Sequence, residues 1–464
     1  MPLKKLLLKS GVNRENTRYT SEGGWYECDK IRFRQGTPEK IGGWQRISST
    51  TFQGVCRSLW NWITLGSINY VAVGTNLKYY IENGGAYTDV TPLRDTVVLT
   101  NPFETTSGSP IVTVTDANGG FADGDFVTYS GASAVGGLTL NGEYQITLTT
   151  TTNEYTIDAG SAASSSATGG GTVTAAYQIN VGTAFAIPLT GWGASSWSSG
   201  TWGVGETSVE SIRLWSQSNF GEDLVFGPRG GAIYYWDATS GLTSRGVELS
   251  TLSGASNVPT SQNILEISDI NRFVFAFGAN EFGSSTVNPM LVRWSDQGSV
   301  VDWTPSVTSQ AGFLTLSRGS EIVTAKQSRQ EVLVWTDAAL YAMQYVGAPV
   351  VWSAQLVGEN ISIAGQNAVA YANGVSYWMG KDKFYMYDGR TKPLQCNLRK
   401  FVFNDFNDEQ YEQVFAGTNE SYHEIWWWYC STDSNVSDRY VVYNYLEQVW
   451  YYGTMNRTAW LDSG

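Results

Sequence analysis

The sequence holds one histidine in 464 residues, His423. A Ser-His-Asp triad, a two-histidine metal site or a histidine general base would have to be built on that single side chain. It sits between Tyr422 and Glu424, at the start of an aromatic run, where a surface or core role fits. Cysteine is almost as scarce. Cys28, Cys56, Cys396 and Cys430 lie far apart and form no Cys-x-x-Cys pair, so zinc-site spacing is missing and no disulfide scaffold is indicated. Charged residues make up 15% of the chain, against about a quarter in an ordinary soluble domain. No Lys or Arg occurs from Asp95 to Ile212. No Gly-Lys-Ser/Thr follows any glycine-rich stretch, which excludes a P-loop. No apolar run approaches the ~20 residues that span a bilayer. The run Leu6–Leu8 ends at Lys9, too short for a signal-peptide core.

What the chain has in abundance is glycine, at 50 residues, and aromatics, at 14%, including 19 Trp and 26 Tyr. That mixture favours strands and tight turns over helices. A recurring unit dominates the pattern. LWNWITLGSINYVAVGTNLKYYIENGGAYTDVTPL, from Leu59, aligns with LWSQSNFGEDLVFGPRGGAIYYWDATSGLTSRGVEL, from Leu214. Looser copies run from Phe273 to Pro305, Glu331 to Val357, Gly374 to Cys396 and Glu424 to Gly453. Each reads as strand, turn and return strand. One small sheet cannot bury both faces alone, but sheets stacked around an axis bury each other. The expected fold is all-β: an irregular β-propeller of about six blades with an inserted small all-β domain. A two-sheet sandwich is the structural alternative. Trp426, Trp427 and Trp428 cannot all face one side of a strand, so both sides of that strand are expected to be covered.

The expected domains are a basic N-terminal segment for adaptor docking or ring closure (1–46), a first blade (47–94), the inserted β-domain (95–190) and the remaining blades (191–464). The insert is marked by Thr, Ser, Ala, Gly and Val with period-two alternation around an Asn118-Gly119-Gly120 turn. One helical stretch follows Asn397, in LRKFVFNDFNDEQYEQV, and reads as a blade-to-blade connection.

Charge is uneven. Residues 1–46 carry ten Lys/Arg and five Asp/Glu, a balance of +5, so the rest carries −18 of the total −13. An acidic body argues against broad phosphate-backbone binding, though a like-charged wall lets a polyanion slide past without sticking. The strand Lys30-Ile31-Arg32-Phe33-Arg34 alternates apolar and cationic positions. Lys30, Arg32, Arg34 and Lys40 are the candidate interface cations, to be weighed against plain solvated charges. Trp192, Trp197 and Trp202, in GWGASSWSSGTWG, form a candidate aromatic surface that could stack on sugars or pack on neighbouring subunits. Asp116, Asp123 and Asp125 cluster hard oxygen ligands, but solvated hairpin turns account for them. Ser295-Asp296-Gln297-Gly298 faintly resembles the Ser-x-Asp-x-Gly turn of propeller sialidases, yet it is one residue short and occurs once. No catalytic residue, cofactor or metal is assigned, and the expectation is a protein that is not an enzyme.

Several segments together resemble the tail nozzle, or packaged-DNA stabilisation, proteins of short-tailed bacteriophages. The likeness is best in EVLVWTDAALYAMQYVG, in GENISIAGQNAVAYANGVSYWMGKDKFYMYDGRTKPLQCNLRKFVFNDF and in RYVVYNYLEQVWYYG. The opening GGWYECDKIRFRQGTPEKIGGW is similar to openings of many phage and prophage structural proteins, and the insert resembles FCCH-type β-modules. The resemblance implies a virion tail protein assembled in the host cytoplasm, with no membrane span. It implies a homo-oligomeric ring of six copies below the portal and adaptor, extending the DNA channel and retaining the genome until ejection. Tail adaptor and portal-proximal proteins, tail fibres or tailspikes, and tail needle or tip proteins would be its partners, with genomic DNA passing through the lumen. A virion adhesin that recognises a carbohydrate receptor is the competing function, and a propeller glycosidase the third.

Overall fold

Six separate four-stranded antiparallel sheets recur along the chain, each a meander whose strands pair in sequence order. They occupy residues 56–89, 215–248, 264–315, 322–359, 369–394 and 415–454. The fold is an all-β, six-bladed propeller carrying one inserted barrel-like sheet. The computed structural model describes residues 8–46, 48–187 and 211–462. The innermost strands are Cys56–Ile63, Trp215–Phe220, Ile264–Ser268, Ile322–Gln327, Val369–Ala372 and Phe415–Asn419. Neighbouring ones run in step: Ser58 bonds Gln217, Trp60 bonds Asn219 and Trp62 bonds the Glu222 carbonyl.

The aromatic content goes between the blades. Strand Glu424–Tyr429 is buried at every position. Trp427 points one way, against Phe384 and Trp450 and onto the Ala368 carbonyl. Trp426 and Trp428 point the other way and lie parallel, 5.4 Å apart. Each buried indole removes enough surface from water to contribute roughly 4–6 kcal/mol of transfer free energy. Both sides of that strand are covered, as its three consecutive tryptophans require.

Blades three to six begin one strand earlier than the recurring units seen in the sequence. The units at Phe273, Glu331, Gly374 and Glu424 start on the second strand of their sheets. The innermost strands face the axis with small and polar side chains, as in Ile322–Gln327 (IVTAKQ) and Phe415–Asn419 (FAGTN), and so lack the aromatic signature. The stretch after Asn397 forms the helix Arg399–Asn404 and the 3-10 turn Asp408–Gln413, which connect blade five to blade six.

All four strands of blade six come from residues 415–454, so no terminal strand completes it. The N-terminal segment closes the junction from outside. The Val12 N–H donates to the Trp450 carbonyl, and the Thr454 N–H donates to Asp29. The hairpin Ile31–Arg34/Thr37–Lys40 then lies on this outer strand, with Phe33 packed against Trp25 and Tyr451.

Here one expected interface cation has to be reassigned. Arg32 is 6% exposed and makes a two-pronged ion pair with Glu424, through Nε at 2.8 Å and Nη2 at 3.1 Å. The Tyr422 ring covers its guanidinium at 3.5 Å. Trp426 Nε1 and the Tyr451 hydroxyl satisfy the remaining lone pairs of Glu424. A buried carboxylate needs this full set of donors, and supplying it takes Arg32 out of the solvent. Lys30, Arg34 and Lys40 remain exposed.

The insert spans residues 93–178 as an eight-stranded antiparallel sheet that curls almost closed. Strands Leu93–Thr100 and Phe103–Thr105 follow one another around a bend and pair with Thr172–Gln178 and Ala167–Gly169. Asn101 and Gly171 bond each other at that corner. Inside, the hydroxyls of Tyr129, Tyr155 and Tyr177 form a chain that ends on the buried Asp116 carboxylate. Lys78 fastens the barrel to the propeller. It is 3% exposed and paired with Asp89 of blade one and Glu143 of the barrel, while Arg245 of blade two also reaches Asp89.

Removing one partner of the buried clamp leaves an uncompensated charge. Arg32→Met should lower unfolding free energy by ~3–5 kcal/mol in urea titrations, whereas Arg34→Gln should change it by less than ~0.5 kcal/mol. Equal effects would remove the clamp from its place at the ring junction.

Candidate functional site at the propeller axis

The innermost strands enclose a cavity of about 300 Å³ on the axis, lined among others by Trp60, Gln217, Lys326, Gln366, Tyr371 and Trp460. At the end where these strands start, side chains cross the axis and close it. Gln366 of blade five donates from Nε2 to the Trp215 carbonyl of blade two, at 3.1 Å. Asn367 donates to the Arg57 carbonyl of blade one. Thr324 of blade four donates to the Gln366 carbonyl. Arg229 and Glu412 form a two-pronged pair at 2.8 Å on the same side. The connection leaving the barrel joins this seal, since Ala186 exchanges two hydrogen bonds with the Gln410 side chain.

Segment Ala459–Asp462 occupies the gap between blades six and one. The Trp460 ring stacks over Trp426 and Trp428, its Nε1 donates to the Thr418 carbonyl, and Asp462 accepts from the Thr418 N–H at 2.7 Å. Ala459 packs on the cluster of Cys56, Val73 and Tyr80 in blade one. This close approach needs glycine at 417: a Cβ there would lie 2.1 Å from Trp460 Cδ1.

The ionisable pair in this region is Glu266, on the innermost strand of blade three, with Lys326 Nζ 3.9 Å away on blade four. Burial pushes the Glu266 carboxyl up to about 7, against the opposing pull of Lys326. A buried carboxyl at that value can exchange a proton near neutrality. Among the described residues Lys326 is its ion-pair partner, and no nucleophile pairs with it.

The other sequence candidates separate. His423 is exposed, in a left-handed turn conformation, with Nδ1 3.3 Å from the Tyr445 hydroxyl. Asp296 accepts the Gln310 N–H within its own loop, and Trp303 is a buried core residue. Asp116 holds Asn118 and Tyr177, Asp125 holds the Ala122 and Val181 N–H groups, and Asp123 holds that of Thr149. Among the described residues no three His, Cys, Asp or Glu side chains converge as a metal-ligand set. The four cysteines are free; burial pushes the Cys56 thiol up to about 12 and Cys430 to about 11, which keeps both protonated. Trp192, Trp197 and Trp202 lie outside the described residues. The Trp460 seal and the Glu424 clamp had no sequence signal, because each is one residue whose partners lie in other blades.

No family model matches the chain, and no curated protein matches it. Among solved structures it is similar to the endosialidase of phage phi92 (12% identity, TM-score 0.23), covering 74% of this chain and 55% of that one. It is also similar to the AfRom2 CNH domain (12% identity, 54% and 74% covered, TM-score 0.33). A third likeness is Kluyveromyces lactis Hsv2 (8% identity, 87% and 98% covered, TM-score 0.32). This chain spans about half the length of the endosialidase. At such scores none of these likenesses bears on function, and the propeller rests on its own strand topology.

Two outcomes check the axis. Gly417→Ala and Trp460→Ala should each cost ~2–4 kcal/mol, by expelling or deleting the same indole. The double variant should cost no more than the worse single one; additive losses would show that the two do not touch. For Glu266, the folded carboxyl titrates above its ordinary value of 4.5. Its neutral form is therefore favoured by folding below about pH 4.5, and that stability drains away as pH rises through about 7. Glu266→Gln should show no such loss, so its unfolding free energy should exceed that of the wild type by up to ~3 kcal/mol at pH 8 and match it near pH 4.

Proposed function

We propose that this chain is a structural component of a bacteriophage tail, one subunit of a ring that extends the DNA channel below the portal and adaptor. The observation that carries the reading is the apolar end of the propeller. Opposite the sealed end, the hairpin tips expose Ile63 (67%), Leu65 (91%) and Ile68 of blade one. Ile270 and Val307 of blade three, Val346 and Val350 of blade four and Leu446 of blade six are exposed on the same side. Apolar side chains spread around one face mark a protein–protein interface rather than a solvent-facing surface.

Three further features support it. The axis is closed at one end by its own side chains, so DNA does not pass through the propeller itself. The barrel is tied to blade one through the Lys78–Glu143 and Gln178–Asp89 contacts, which suits a part that bears load. The net charge of −13 leaves no general attraction for DNA, which suits a wall past which DNA moves. On this reading Lys30, Arg34 and Lys40 of the N-terminal segment face an acidic adaptor surface, and catalysis has no part in the role.

Mass by light scattering, followed by electron microscopy of the assembled particle, separates the alternatives. A closed ring of about six copies, formed alone or on the adaptor, is the expected result. A compact trimer with glycan binding would replace the reading with the adhesin. Introducing charge at the apolar tips, as in Leu65→Glu with Ile270→Glu, should abolish the ring and leave the circular dichroism spectrum unchanged.

A further inference from the structure

The N-terminal segment builds a second feature on the outer edge of blade six. Between it and the helix Arg399–Asn404 lies a groove of about 570 Å³, lined among others by Arg14, Tyr26, Glu27, Phe401, Arg439 and Tyr452. Arg14 is fixed in this groove. Its backbone N–H donates to the Asn397 carbonyl at 2.9 Å. Its Cζ lies 4.5 Å from the Tyr26 ring centroid and 4.4 Å from that of Phe401. Nη1 is 3.2 Å from the Tyr452 hydroxyl. Aromatic faces hold a guanidinium by its plane and leave the in-plane N–H groups to do the hydrogen bonding.

The other cations around this groove are paired: Arg18 with Glu27, Arg439 with both Asp405 and Asp438, and Lys400 with Glu15. Among the described residues no carboxylate lies within ion-pair distance of Arg14. Among the described residues Arg14 is thus the one cation lining this groove without a carboxylate partner, on a side chain whose position is already set. We propose that it is a docking site for a carboxylate-bearing segment of a partner protein, with Arg14 as the anchor. This deepens the reading in which the basic N-terminal segment docks an acidic tail protein, and it rests on that reading for the partner's identity. Charge count favours a single carboxylate over a phosphate chain. Glu27 and Asp405 on the groove walls, and the acidic body behind them, repel a ligand carrying more than one or two negative charges. A planar carboxylate also matches the guanidinium fork with two parallel hydrogen bonds.

The test uses the full chain and a Gly-Ser-Glu-Gly peptide with an amidated C-terminus and a BODIPY label, which carries a single carboxylate, read by fluorescence anisotropy at low salt. Saturable binding is expected, weakened at least ~10-fold by Arg14→Met, which keeps the apolar stem. Arg390→Gln, at an exposed arginine of blade five, should leave it unchanged. Arg14→Lys keeps the charge and the aromatic contacts but loses the fork, so it should weaken binding several-fold and stands in if Arg14→Met fails to fold. Three results overturn the proposal: no saturable binding, equal loss in Arg390→Gln, or displacement by inorganic phosphate at matched ionic strength. The measurement reads a single chain. Peptide binding without a ring would sink the ring and spare the groove, and a ring without Arg14-dependent binding would do the reverse.

Discussion

A ring of sheets is held by its junctions, and one junction differs from the others: the last blade must meet the first without a covalent link between them. Here the contact is made twice. Outside, the N-terminal hairpin grips blade six through the buried Arg32–Glu424 pair, and the chain then runs on to blade one. Inside, Trp460 fills the gap over Gly417 while Ala459 rests on blade one. The stacking of the indoles depends on this closure, because a propeller open at one seam exposes the faces of two blades to water. A fully bonded ion pair suits the outer lock, since it holds one geometry where an apolar contact would tolerate several.

Closure has a second result. Gln366, Asn367 and the Arg229–Glu412 pair can reach across the axis only if the ring is tight, and together they close one end of the axial cavity. The surfaces left open to a partner include the hairpin tips at one end and the segment wrapped on blade six. The barrel sits at the sealed end, because it interrupts the link between the outermost strand of blade one and the innermost strand of blade two. The barrel and the cross-axis hydrogen bonds lie at one end of the propeller, and the tips bearing Ile63, Leu65, Ile270 and Leu446 at the other.

Much of the fold was legible in the sequence. Aromatic strands with glycine turns announced the blades, the loss of Lys and Arg announced the insert, and the stretch after Asn397 announced the one helical connection. The innermost strands were less legible. Their axial side is narrow and polar, so strands such as Phe415–Asn419 carry few of the residues that make a strand conspicuous. The site was hardest to read. Arg32 looked like one cation in a basic run, and only the position of Glu424, 392 residues away, separates it from Arg34. Arg14 gave no signal either, because the rings that hold it come from three parts of the chain. Long-range pairing of single residues leaves no period or spacing to detect.

That separation of 392 residues between Arg32 and Glu424 also sets a clock. At ~5–20 residues per second of synthesis, the N-terminal hairpin leaves the ribosome on the order of 20–80 s before its acceptor strand exists. Through that interval Phe33 has no core to enter and Arg32 no counter-charge. The ring cannot begin to close from its leading end, and the molecule belongs with slow folders dominated by distant contacts. The final step of its maturation is thus the capture of its oldest segment by its youngest blade.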